Sequence, residues 1–189
     1  MSNVANYFRC SPRQTRQFVT ECLRAGLVPF VQSSPGMGKS SIMKSVAEEY
    51  ELEVIDHRLS TSAPEDLSGL PRFNERGYAE FAPFADLFPI EGTPLPGHKQ
   101  GWMLFLDEFN QATKSVQSAS YKLILDRMTG QKKLHEKVVI TAAGNLATDR
   151  AIVNVLGTAM QSRVVHIEME INFNEWLEDV ALKQNYDRR

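Results

Sequence analysis

Leu27-Val28-Pro29-Phe30-Val31-Gln32-Ser33-Ser34-Pro35-Gly36-Met37-Gly38-Lys39-Ser40-Ser41 is the stretch that decides the fold of this chain. Leu27 to Gln32 is a short apolar run of the kind that forms a buried strand, and Ser33 to Gly38 is a loop of small residues. Lys39 to Tyr50 then carries Ile42, Met43, Val46 and Ala47 at helical spacing. Strand, loop and helix in that order aim the first free amides of a helix, and its positive dipole end, at whatever rests on the loop. Gly36 and Gly38 let the backbone come close to a ligand with no Cβ in the way, Lys39 adds a full positive charge, and Ser40 offers a hydroxyl to a cation. A chain of phosphates is the ligand that this combination suits.

The spacing is that of the P-loop, with Ser33 standing where the first glycine usually does. Ser33 still has a backbone amide to offer. The run Ser33, Ser34, Pro35, Gly36, Met37, Gly38, Lys39, Ser40 and Ser41 is therefore expected to surround ATP or ADP, with Ser40 on Mg2+.

Working outward, Leu52 to His57 reads as a second strand, Trp102 to Asp107 as a third, Val138 to Ala143 as a fourth and Val164 to Met169 as a fifth. Ser11-Pro12 begins an amphipathic helix that Gly26 closes, and a long helical stretch from Gln111 to Thr129 ends at Gly130 as a C-cap. Strands alternating with helices predict a parallel sheet covered on both faces, since each parallel crossover must return over the sheet. The expectation is an α/β three-layer sandwich with five parallel strands and its ligands at their carboxyl ends.

Met103-Leu104-Phe105-Leu106-Asp107-Glu108 is an apolar strand that ends in two carboxylates at that same edge. Their roles should differ: Asp107 holds the hydration shell of Mg2+, and Glu108 polarises the water that attacks the terminal phosphate. Between the second and third strands, residues 60–101 form a proline-rich excursion in which Arg72-Phe73 and Tyr78 to Phe81 flank Asn74-Glu75-Arg76-Gly77 like a hairpin. Its aromatics, Phe73, Tyr78, Phe81 and Phe84, are expected to build a small satellite core, the alternative being a grip on a protein substrate.

The 189 residues carry 21 basic and 23 acidic side chains, so a net charge of -2 gives no global pull toward nucleic acid or an anionic membrane. Lys132, Lys133 and Lys137 are the only dense basic stretch and have no interleaved aromatics, so they read as a solvated turn. Cys10 and Cys22 are spaced for neither a zinc site nor a redox pair and are expected to be reduced thiols. No apolar run approaches the roughly 20 residues that span a bilayer, and the N-terminus has no signal-like apolar core. A cytoplasmic setting is expected.

Pro35-Gly36-Met37-Gly38-Lys39-Ser40, together with Leu106-Asp107-Glu108-Phe109-Asn110-Gln111-Ala112, resembles the MoxR-like, dynein-related branch of AAA+ ATPases. Asp66-Leu67-Ser68-Gly69-Leu70-Pro71 is similar to the segment that follows that branch's second strand, and Ala143-Gly144-Asn145 is similar to its sensor 1 strand end. Arg163 resembles the arginine finger, with Arg150 ranked behind it. The resemblance runs from about Ala25 to Ile171. It implies that Asn145 contacts the terminal phosphate or orients the attacking water, and that Arg163 reaches the nucleotide of a neighbouring subunit.

On this reading residues 1–171 are the nucleotide-binding core. Residues 172–189 begin a C-terminal helical lid that is absent or truncated, because Phe173 to Gln184 allows one helix and the terminal Arg188 and Arg189 are poorly placed for sensor 2. The resemblance further implies Mg2+-dependent ATP hydrolysis in a ring or spiral, often of six subunits, coupled to remodelling of a protein partner such as one with a von Willebrand factor A domain. Two other classes compete: a nucleic-acid motor or loader, which the charge disfavours, and a nucleotide-dependent assembly switch with little hydrolysis.

Overall fold

A computed structural model of the chain describes residues 9–84, 86–147 and 153–178. Its centre is a sheet of parallel strands in the order β1-β10-β2-β9-β6-β3, formed by Arg9–Cys10 (β1), Val164–Met169 (β10), Val28–Gln32 (β2), Val138–Gly144 (β9), Gly101–Asp107 (β6) and Leu52–Arg58 (β3). The α/β sandwich is as the sequence predicts, but the sheet has six strands rather than five. The added strand, β1, is two residues long and exists through its pairing of Arg9 with Glu168 and Cys10 with Met169, which no local pattern announces.

Strand β6 shows why the sheet must be covered on both sides. All seven of its residues are buried. Trp102, Leu104 and Leu106 face one core while Met103 and Phe105 face the other, because successive strand side chains point to opposite faces. Helices α1 (Pro12–Arg24) and α2 (Lys39–Glu49) close the second face with Val19, Met43, Val46 and Ala47. The first face is closed by α4 (Lys114–Leu125) through Val116, Leu123 and Ile124. Ser11 caps α1 with a full capping box, its hydroxyl accepting from the Gln14 amide while its own amide donates to the Gln14 side chain.

The long predicted helix is shorter than expected. A 3-10 turn at Phe109–Gln111 precedes it, Thr113 caps α4, and the chain leaves the helix through Asp126 and Arg127, whose left-handed φ of 52° ends the winding. Gly130 is not its C-cap. It sits in the turn of a small hairpin, β7 (Met128–Thr129) and β8 (Lys132–Lys133), where a Cβ would lie 2.8 Å from Ser68 O and 2.9 Å from Phe81 O.

That contact joins the small hairpin to the excursion, which holds α3 (Pro64–Ser68) and a hairpin of β4 (Leu70–Phe73) with β5 (Ala79–Ala82). Thr129 Oγ1 donates to Leu67 O at 2.9 Å across the same junction. The apolar anchor beneath the excursion is Leu59, Leu67 and Phe88. The aromatics expected to form a satellite core stand outside it: Phe73 is 80% exposed, Tyr78 70% and Phe81 48%. A short two-stranded ribbon has one face toward the body and cannot bury side chains on both.

Candidate active site

Three neighbouring strands deliver the site. β2 runs into the P-loop, β6 into Asp107 and Glu108, and β9 lies between them and ends at Gly144, just before Asn145. Strand spacing of about 4.8 Å puts the two outer groups roughly 10 Å apart, with Asn145 between them.

A cleft of about 370 Å3 opens at this edge, lined by Pro35, Gly36, Met37, Gly38, Lys39, Ser40, Ser41, Asp107, Glu108, Gln111 and Asn145. Gly36 and Gly38 hold left-handed φ angles of 77° and 83°, and the space where their Cβ atoms would stand is open. That is the form of an anion cradle. α2 starts at Gly38 with no side-chain cap, so its first amides are left to a ligand.

Ser33 and Ser34 lie beneath the cleft rather than on its wall. The Ser33 amide continues the sheet by donating to Gly144 O at 3.4 Å. Its buried hydroxyl receives the Lys39 ammonium at 3.1 Å, and Lys39 also donates to Ser33 O at 3.0 Å, Ser34 O at 3.2 Å and Asn145 Oδ1 at 3.2 Å. The serine in place of the usual glycine thus adds an oxygen under the lysine instead of an amide above it.

Asp107 is buried, and its carboxyl is pushed above the ordinary range chiefly by that burial, with Asp56 and Glu108 adding negative charge. The Glu108 amide, donating to Asp107 Oδ1 at 2.8 Å, and the cation Arg58 work the other way. A desolvated carboxylate among like charges, lining the same cleft as Ser40, offers an all-oxygen donor set that fits Mg2+. Glu108 follows with φ at 54°, a left-handed conformation that costs a non-glycine residue about 1 kcal/mol and turns its side chain away from the strand direction. Its carboxylate accepts a hydrogen bond from the Ser60 hydroxyl and lies 3.7 Å from Arg58 Nε.

Arg163 is exposed at the opposite edge. The pairing of Val164 with Val28 sets it about six residues before the P-loop along neighbouring strands, roughly 20 Å from the cleft. Its guanidinium makes no ion pair or side-chain hydrogen bond among the described residues. Arg150 lies outside the described residues. Sequence reading passed over Arg58 and Ser60, and took Asn110 and Gln111 only as part of the motif around Asp107-Glu108, with no role of their own.

Residues 30–169 match the family "ATPase family associated with various cellular activities (AAA)". The chain belongs to the AAA family of ATPases. Membership speaks, at a general level, for a nucleotide-binding ATPase domain. A solved structure of a candidate ATPase from Cytophaga hutchinsonii superposes with a TM-score of 0.60 at 18% identity, covering 92% of this chain and 50% of that one. The likeness is one of fold, and this AAA chain spans half the length of that protein. Among curated proteins none matches the sequence significantly. No described helix is long and apolar enough to cross a membrane.

Proposed function

We propose that this chain is the ATP-hydrolysing module of an oligomeric AAA ATPase of the MoxR-like, dynein-related branch, and that turnover remodels a protein partner. One observation carries the reading: the glycine cradle, the buried Asp107 and the aimed Glu108 converge on one cleft. In this reading the amides of Gly36 to Ser41 and the Lys39 ammonium hold the phosphates. Ser40 and Asp107 hold Mg2+, which would neutralise charge on the transferring phosphoryl group. Glu108 takes the proton of the attacking water, and Asn145 positions that water or the terminal phosphate.

Arg163 stands on the far edge of its own sheet, which suits a finger that completes a neighbour's site in a ring or spiral, a hexamer being the form expected. The exposed Phe73 at the end of β4 and Tyr78 just before β5 suit contact with a protein partner, for which a von Willebrand factor A domain protein is the expected class. Residues 1–171 form the core in this scheme, and 172–189 begin the lid.

Nucleotide titration calorimetry and phosphate release test the site together. Lys39→Ala should lose ATP binding, while Glu108→Gln should bind ATP with Mg2+ and not turn over; hydrolysis by Glu108→Gln at the parent rate overturns the assignment. Mixing tests the assembly. Arg163→Ala and Glu108→Gln subunits, each inactive alone, should recover activity together because one interface then combines a sound finger with a sound Glu108. Verified co-assembly without recovery refutes the finger.

A further inference from the structure

We propose that Asn110 is a positioning residue for ATP hydrolysis: its buried side-chain amide clasps the backbone of Asn145 and so aims the Asn145 carboxamide at Lys39. The assignment rests on the role given to Asn145 above.

The need for a clasp follows from where the sheet ends. Pairing of β9 with β2 stops at Gly144 opposite Gln32, and pairing with β6 stops at Ala142 opposite Leu106. Beyond the Ser33 amide on Gly144 O, the N–H and carbonyl of Asn145 lie past the last paired residue on both sides, at a point where strand order would fray. Asn110 supplies both partners. Its Nδ2 donates to Asn145 O at 2.7 Å, and its Oδ1 accepts from Asn145 N at 3.1 Å. One planar amide thus presents a donor and an acceptor side by side, as a strand neighbour would.

The clasp is rigid because its base is rigid. Asn110 is 2% exposed, and its own carbonyl accepts from Asn154 N at 2.7 Å. The preceding residue, Phe109, is fully buried and meets the Phe30 ring edge-on at 5.6 Å. The fit also explains a glycine. A Cβ on Gly144 would stand 2.3 Å from Asn110 Oδ1, so the close approach of the amide requires the residue before Asn145 to lack one. At the far end, Asn145 Oδ1 accepts from Lys39 Nζ at 3.2 Å. Only one residue separates Glu108 from Asn110 along the chain, so the turn that sets the carboxylate also sets the carboxamide. Aspartate at 110 would face the Asn145 carbonyl with a second acceptor, and alanine would leave both Asn145 groups unpaired.

Steady-state kinetics of the full-length assembled protein test this, with Asn110→Ala, Asn110→Asp, Asn145→Ala and the Asn110→Ala/Asn145→Ala pair, each checked by thermal melting. A displacement of about 1 Å at a reacting group costs on the order of a hundredfold. The expected result is a kcat lower by about tenfold to a hundredfold in both Asn110 variants, with ATP affinity by calorimetry within about threefold of the parent. The double variant should be no slower than Asn145→Ala alone, since a residue that acts through Asn145 has nothing left to position. If Asn110→Ala does not fold, Asn110→Asp, which keeps the size and the acceptor, is paired with Asn145→Ala instead. Full kcat in the Asn110 variants beside an impaired Asn145→Ala overturns the proposal, and so do losses that multiply in the double variant. Full kcat in Asn145→Ala is a different failure: the role of Asn145 falls, and that of Asn110 with it.

Discussion

If Glu108 is the base proposed above, the Ser60 hydroxyl restrains it, and removing Ser60 should speed ATP turnover. The Ser60 hydroxyl donates to a Glu108 carboxylate oxygen, and Arg58 Nε stands 3.7 Å from the other. A carboxylate held by these partners must be released from them before it can turn to a water. A hydrogen bond to a charged group contributes about 1.5–3 kcal/mol when well buried. The Glu108 side chain is 34% exposed, so solvent competes and about 1 kcal/mol remains. Arg58 is 57% exposed, and a pair so open and so long adds well under about 1 kcal/mol. About 1 kcal/mol corresponds to roughly a fivefold change in the population of released carboxylate. Ser60→Ala should therefore raise basal phosphate release about fivefold at saturating ATP, and Arg58→Gln less than about twofold, with nucleotide affinity unchanged in both. The assay is steady-state phosphate release against a calorimetric binding control. A fall in kcat for Ser60→Ala with binding intact refutes the reasoning, because Ser60 would then be orienting Glu108 for the reaction.

Asp107→Asn should retain nucleotide binding but make it nearly insensitive to Mg2+, measured by titration with and without the metal; an undiminished Mg2+ dependence removes Asp107 from the cation site. Phe109→Ala should cost about 3–5 kcal/mol in chemical denaturation, because it empties a fully buried ring site against Phe30. His57 and His166 both titrate below the ordinary 6.5 because burial disfavours their cations, with Asp66 and Asp56 opposing at His57 and the Gln161 carbonyl opposing at His166. The unfolded chain then binds these protons more tightly, so stability is full above about pH 6.5 and declines as pH falls below it; His166→Gln should flatten that slope in denaturation between neutral and mildly acid pH. Phe73→Ser with Tyr78→Ser should shift stability by no more than about 0.5 kcal/mol and leave basal ATPase intact, while partner-stimulated ATPase falls; a large loss of stability would mean the hairpin is a packing element after all.

The sheet was legible where burial imposes a pattern on consecutive residues. β6 is apolar on both faces because two cores press on it, and β10 begins and ends on the buried apolar residues Val164 and Met169. β1 has no such run, since two residues bonded to the edge of β10 need no pattern of their own. The end of α4 was misread for a related reason. Gly130 has the conformational freedom of a C-cap, but Arg127 takes the left-handed position and Gly130 answers instead to the backbone of the excursion packed on it. The exposure of Phe73 and Tyr78 was equally invisible, since composition counts aromatics without showing which face of a ribbon is covered.

The same division runs through the cleft. The glycines, Lys39 and Ser40 are contiguous, and Asp107-Glu108 end one apolar strand, so each group announces its chemistry by its neighbours in sequence. Arg58, Ser60 and Asn110 act across strands, on a carboxylate 48 to 50 residues away for the first two and on a peptide group 35 residues away for the third. Nothing in an arginine, a serine or an asparagine taken alone distinguishes a solvated side chain from one that holds a reacting group in place. What distinguishes them here is the left-handed turn at Glu108: it brings the carboxylate over the end of β3, where Ser60 and Arg58 wait, and two residues later it delivers Asn110 to the end of β9. Glu108→Gly removes the carboxylate but, since glycine takes a φ of 54° without strain, should keep the turn and the Asn110 contact, whereas Glu108→Gln keeps the side chain as well and with it the geometry of the ATP-bound, non-hydrolysing state expected of that variant.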